Sequence, residues 1–146
     1  MEKYDDARWH ANGKFPADQP LEHSATHIAL FLKWCLIKGW AGDMHVAHHP
    51  EEVQQVIDGE MSAFEFLSVY CCDRLTAESL NDAGNAFAKH YYGDDGLYLN
   101  DYATHFKELA YTAPEQAHDF AKFSALLDER LASGVLTKTK PWWKLW

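Results

Sequence analysis

From Ile28 to Ile37 the chain reads Ile-Ala-Leu-Phe-Leu-Lys-Trp-Cys-Leu-Ile, with Lys33 as its charged residue. Ser24 stands ahead of this run as a helix cap and Gly39 behind it as a stop, so the spacing predicts a helix over about residues 25–38. Wound at 3.6 residues per turn, such a helix is apolar almost all round and has no face to offer water. It must lie in the middle of a fold, and other elements must surround it. The run is also far short of the ~20 residues that cross a bilayer. A chain of 146 residues has the length of one domain and can bury most of the surface its unfolded form exposes. Its 8 Phe, 7 Tyr and 6 Trp supply large pieces for that core.

The remaining segments supply the surrounding layer. Residues 1–22 read as an irregular lead-in, with Asn12-Gly13 as a turn and Pro16 and Pro20 as breakers. After a turn at Ala41-Gly42, Pro50 opens a short helix, Glu51 to Ile57, which Asp58-Gly59 ends. Ser62 begins another, anchored by Phe64, Leu67, Val69 and Tyr70. Thr76 with Glu78 and Ser79 looks like a further start, and a helical register continues through Ala83, Ala86, Phe87 and Tyr91. Gly93-Asp94-Asp95-Gly96 is a turn. Leu97 to Tyr102 reads either as a short strand or as the approach to another helix, and periodicity does not arbitrate over so few residues. Thr112 or Pro114 opens the best-marked amphipathic helix, with Phe120, Phe123, Leu127 and Leu131 on one face and Gly134 as the stop. The expected fold is mostly α. It is a single-domain helical bundle over residues 1–134, with the 25–38 helix buried at its centre and one small β element near 97–102. A Trp-rich basic tail follows over residues 135–146.

The formal charge is −9, and its distribution says more than its total. From Gly39 through Asp73 there is no Lys or Arg, while Asp43, Glu51, Glu52, Asp58, Glu60, Glu65 and Asp73 all occur. Such a surface repels nucleic-acid phosphates and anionic lipid and draws basic proteins, so neither nucleic acid nor membrane is an expected partner. Acids that merely keep the chain in solution are the plainer explanation. The tail reverses the sign: Lys138, Lys140 and Lys144 stand among Trp142, Trp143 and Trp146. Three Trp side chains are costly to leave in water, and Trp is enriched at binding hot spots. The tail therefore either folds back over the domain or makes a partner or homodimer contact. Cys35, Cys71 and Cys72 fit no metal or redox spacing and read as reduced thiols. The opening Met-Glu-Lys-Tyr-Asp-Asp lacks the apolar run of a signal peptide, so the expected location is the cytoplasm.

Nine histidines raise the question of a metal. His23 and His27 share a helix face, and His45, His48 and His49 form a second group. Neither group contains a His-Glu-x-x-His pattern. Asp5, Asp6, His10 and His27 carry the mixed oxygen and nitrogen chemistry of a metal or hydrolytic site, and Asp82 and Asn85 carry groups suited to lining a pocket. The same residues also suit helix capping and the tying of the N-terminal arm to the core. Asp82 and Asn85 read first as a capping pair, with Gly84 permitting close packing against a neighbour. There is no Gly-x-Ser-x-Gly elbow, phosphate-binding loop or dinucleotide fingerprint, so no catalytic residue is assigned and no cofactor is expected.

Three stretches have the character of family motifs. They are Tyr4-Asp5-Asp6-Ala7-Arg8-Trp9-His10; Ala25-Thr26-His27-Ile28 leading to Phe31-Leu32 and Trp34; and Asn81-Asp82-Ala83-Gly84-Asn85-Ala86-Phe87-Ala88, followed by Tyr91-Tyr92 and Tyr98-Leu99-Asn100-Asp101-Tyr102. Over roughly residues 4–131 the chain resembles a family of small acidic bacterial proteins of unknown function. Such proteins are similar in style to immunity proteins encoded beside bacterial toxins. That likeness, with the acidic field and the aromatic anchors, implies a binding protein that occludes a cognate toxin, a basic cytosol-acting one such as a nuclease. The expected contact residues are Asp43, Glu51, Glu52, Asp58 and Glu60, with Trp142, Trp143 and Trp146 of the tail. The alternative is a small metal-binding protein or hydrolase using Asp5, Asp6, His10, His27, Asp82 and Asn85.

Overall fold

In a computed structural model, which describes residues 3–7, 25–93, 95–107 and 117–137, the apolar run winds into α1 (Thr26–Ile37). Every residue from Thr26 to Leu36 is buried, Lys33 included. Ala25 takes the N-cap position, and the expected cap Ser24 lies outside the described residues. The helix ends as its sequence predicts. Gly39 turns through φ +81°, a left-handed conformation that is free of strain only without a Cβ, and its amide returns to the Leu36 carbonyl at 3.0 Å.

Six more α-helices follow among the described residues: α2 (Asp43–His48), α3 (Pro50–Ile57), α4 (Ala63–Cys71), α5 (Asp82–Tyr91), α6 (Tyr98–Phe106) and α7 (Ala117–Ser133). Pro50 opens α3, and the Ser62 hydroxyl caps α4 by accepting the Phe64 amide at 3.1 Å. α1 packs against α3, α4 and α7. Its Phe31 is in ring contact with Trp34, Phe87, Tyr91, Tyr92 and Tyr98, which joins α1, α5 and α6 through aromatic edges and faces. On α7, Phe120, Phe123 and Leu127 are buried as the periodicity predicts, but Leu131, in the last turn, lies 38% exposed. On α4 the inward residues are Ala63, Phe66 and Leu67, whereas Val69 faces out.

The small β element is real but lies elsewhere than 97–102. Tyr98, Asp101, Tyr102 and Phe106 are the buried residues of α6, a helical spacing, and they settle that segment as helix. The sheet is instead β1 (Lys3–Asp6) antiparallel to β2 (Arg74–Thr76), with Lys3 opposite Thr76, Asp5 opposite Leu75 and Asp6 opposite Arg74. β1 falls within the stretch read from sequence as irregular. Between β2 and α5, Thr76 and Ser79 form a reciprocal capping box, but it opens only a 3₁₀ turn (Ala77–Ser79). α5 starts afresh after Leu80. No helix among the described residues is long and apolar enough to cross a membrane.

Candidate functional site

The N-terminal aspartates enter the core as members of a strand. β1 carries Asp5 into contact with α1 and the end of α5, past a register irregularity between Lys3 and Asp5, and Asp5 is 2% exposed. Its Oδ2 lies 2.8 Å from His27 Nε2 on α1 and also accepts the Tyr92 hydroxyl just past the end of α5, while its Oδ1 accepts the Asp6 amide at 2.8 Å. When Asp5 is ionised its carboxylate only accepts, and His27 then donates from Nε2. Burial, and then the negative charge of Asp5, push the Tyr92 hydroxyl well above its ordinary pKa, which keeps it a donor. The neighbouring Tyr98 hydroxyl donates to the His27 carbonyl at 2.5 Å. Asp6, also buried, takes Lys3 Nζ at 3.1 Å.

Of the six residues of the metal or hydrolase reading, the structure joins Asp5 to His27 directly. Asn85 is linked only at a remove: its Oδ1 accepts the hydroxyl of Tyr4, the strand neighbour of Asp5, at 2.7 Å. Asp82 is exposed at the first turn of α5, apart from this seam. His10 lies outside the described residues. Among the described residues, no three His, Cys, Asp or Glu side chains are grouped to hold a metal ion. The expected capping pair is corrected as well. Asn81 caps α5 by accepting the Gly84 amide at 2.9 Å, and Asn85 spends its amide group on the carbonyls of Ala77 and Leu80. Gly84 does serve close packing: a Cβ there would meet Leu80 Cβ at 3.0 Å and Trp40 Cβ at 3.1 Å.

Two further polar constructions escaped the sequence reading. Arg130 on α7 grips Asp101 on α6 with two bonds, 2.8 and 3.0 Å, while the Tyr91 hydroxyl donates to the same carboxylate at 2.6 Å. An acid set between the inward-facing Tyr98 and Tyr102 was the signal available for it. The second is His45, 1% exposed, whose Nε2 lies 3.6 Å from Cys71 Sγ and whose Nδ1 has no hydrogen-bond partner among the described residues. Burial, and then the charge of His49, hold His45 below its ordinary pKa, and burial pushes the Cys71 thiol up to about 12. A thiol so raised is a poor nucleophile. The three-histidine group of the sequence is thus split by α2, with His45 inside and His48 exposed.

The expected contact acids are arranged differently. Asp43, Glu51, Asp58 and Glu60 are exposed and Glu52 is half-buried. Met44, Val46 and Val69, all large apolar side chains left 43–61% exposed, occur in the same stretch. Asp43 lines an open hollow of about 460 Å³ together with Glu78, Asn81, Asp82 and Asn85. Asp58 lines a larger groove, of about 770 Å³, between α1, the α3–α4 turn and α7. Trp142, Trp143 and Trp146 lie outside the described residues.

No curated protein and no solved structure matches the chain. A family model, described as a domain of unknown function (DUF7832), matches residues 3–119, from β1 into the first turn of α7. Its span takes in the Asp5–His27–Tyr92 seam and the acidic stretch alike. On that match the chain belongs to the DUF7832 family.

Proposed function

We propose that this protein binds a basic protein partner and neutralises it by covering its surface, in the manner of an immunity protein paired with a bacterial toxin. The observation that carries the reading is the α2–α4 region. From Gly39 to Asp73 it has no Lys or Arg, its acids Asp43, Glu51, Asp58, Glu60 and Glu65 are exposed, and apolar side chains stand open in the same stretch. Exposed carboxylates raise the rate at which a basic protein is captured, and apolar side chains that lose water on contact slow its release. A basic toxin acting in the cytoplasm, such as a nuclease, has the complementary charge.

The test is co-expression with the toxin encoded by the neighbouring gene. Protection of the cells and a complex that survives gel filtration are expected. The combined variant Asp43→Asn, Glu51→Gln, Asp58→Asn, Glu60→Gln should weaken capture about tenfold or more at low salt and much less at high salt. If the parent chain neither protects nor forms a complex, the reading fails.

A further inference from the structure

In α2 His45 alone is buried, while Asp43, Met44, Val46, Ala47 and His48 are exposed. The two ends of the helix are held through the backbone. Ahead of it Gly42 gives its amide to the Ser79 carbonyl at 3.0 Å, and behind it the His49 carbonyl accepts the Val53 amide of α3 at 3.0 Å. Between those points a single side chain anchors α2 in the core, and that side chain can take up a proton.

The surroundings of His45 suit the neutral ring. It stands edge-on to Phe66 of α4, 5.1 Å between centroids. An imidazolium carries two N–H donors, and each needs an acceptor when buried. Nδ1 has no partner among the described residues, and Nε2 faces the Cys71 sulfur, a weak acceptor. The ionisable groups nearby do not make up the deficit. His49 lies 6.0 Å away, packed on Tyr70 of α4 at 4.2 Å, and repels the ring when charged. From α4 comes the Cys71 thiol, with Cys72 and Asp73 acting on that thiol. Of the acids on α3 and the 3₁₀ turn, Glu51 and Glu78 are exposed and Glu52 is half-buried. No carboxylate among the described residues bonds either ring nitrogen.

We propose that α2 is a pH-operated latch: protonation draws the His45 ring from its slot, and residues 43–49 loosen between attached ends. The loosening carries Asp43, Met44 and Val46 with it, so acid weakens the grip on a basic partner. That consequence rests on the reading of the α2–α4 region as the capturing face; the latch itself does not.

The test is an NMR titration of the full chain from about pH 7.5 to about pH 4.5. Amide shifts of residues 43–49 should move toward unstructured values with the midpoint of the His45 ring, below the ordinary 6.5. Amides of α1 and α5 should hold their positions. Local opening should grow by up to about tenfold per pH unit through that window. His45→Phe fills the slot without a titratable nitrogen and should leave the shifts of α2 flat. His45→Gln is the second variant should the larger ring disturb α4. His49→Gln should raise the midpoint, because it removes the neighbouring positive charge.

A His45 ring that titrates while α2 stays in place would overturn the proposal. So would loosening that persists in both His45 variants, which would assign it to the carboxylates around α2. A single transition in which every element unfolds would show global denaturation and no latch. The toxin encoded by the neighbouring gene then separates the two readings. On going from pH 7 to pH 5, its dissociation should quicken about tenfold more for the parent than for His45→Phe. If α2 opens but release does not quicken, α2 lies outside the capturing face and the regulatory consequence is lost. If no toxin is bound at either pH, the proposed function fails and the latch stands.

Discussion

Acidic side chains occupy two opposite settings in this molecule. Asp5, Asp6 and Asp101 are buried; the partners of Asp5 and Asp101 come from other elements, His27 and Tyr92 for Asp5 and Arg130 and Tyr91 for Asp101, while Asp6 takes Lys3 of its own strand. Asp43, Glu51, Asp58 and Glu60 lie in water, and the hydrogen bonding around them is local where it exists, as between Gln54 and Asp58. Removing a carboxylate from water costs several kcal/mol unless donors replace the lost hydration, so the buried set persists only because the fold has built donors around it. The exposed set needs no such support, and the fold loses little without it. Residues of one chemical type thus divide between holding the fold and addressing what lies outside it.

The strongest way to break that division is Asp5→Ala. It takes a buried carboxylate away from the Tyr92 hydroxyl and the His27 ring, and a loss of about 3–5 kcal/mol in urea denaturation is expected. A loss below about 1 kcal/mol would mean that the seam is not structural. Arg130→Met comes next, at about 2 kcal/mol, because the guanidinium is partly solvated and Asp101 keeps the Tyr91 hydroxyl.

His45 gives a smaller effect with a definite sign. Burial and His49 hold its folded pKa below the ordinary 6.5, so the unfolded chain takes up the proton more readily. Its contribution to stability is complete above pH 6.5 and is lost as pH falls through the lower folded value. His45→Phe should lie within about 1 kcal/mol of the parent at pH 7 and show a shallower acid limb in thermal scans taken from pH 7 to 5. On the alkaline side the sign is opposite. The Cys71 thiol and the hydroxyls of Tyr91, Tyr92, Tyr98 and Tyr102 are all raised, chiefly by burial. Stability is therefore full below about pH 9 and declines as pH climbs toward the folded values. The smallest change belongs to Glu51→Gln/Glu52→Gln, within about 0.5 kcal/mol of the parent in the same denaturation assay.

Legibility in the sequence followed the range of the interactions. α1 was plain because an all-apolar helical run is a local signal, and Gly39, Pro50 and Ser62 marked boundaries through their own backbone chemistry. β1 was not, since its ladder partner is β2, beyond the described helices α1 to α4. α2, six residues long, carries three polar side chains among its six and offered no periodic stripe. The Asp–His pairing was half legible. Residue types suggested that Asp5 and His27 belong together, but only the fold shows that Tyr92 completes the group and that Asp82 stands apart. The groove was invisible in advance because Ile37, Met61 and Phe120 come from three separate segments and look like ordinary core residues one at a time.

The pairing of β1 also dictates an order of assembly. Asp5 finds Tyr92 87 positions away, whereas α1, α3 and α4 meet within a much shorter span of chain. Closing the longer loop costs more entropy, so the helices should gather first and the strand should fasten last, like a clasp. Asp5→Asn is then expected to quicken unfolding while leaving the folding rate nearly unchanged in stopped-flow experiments. During synthesis, the residues of this strand would be made before the helices they close over, and would come to rest after them.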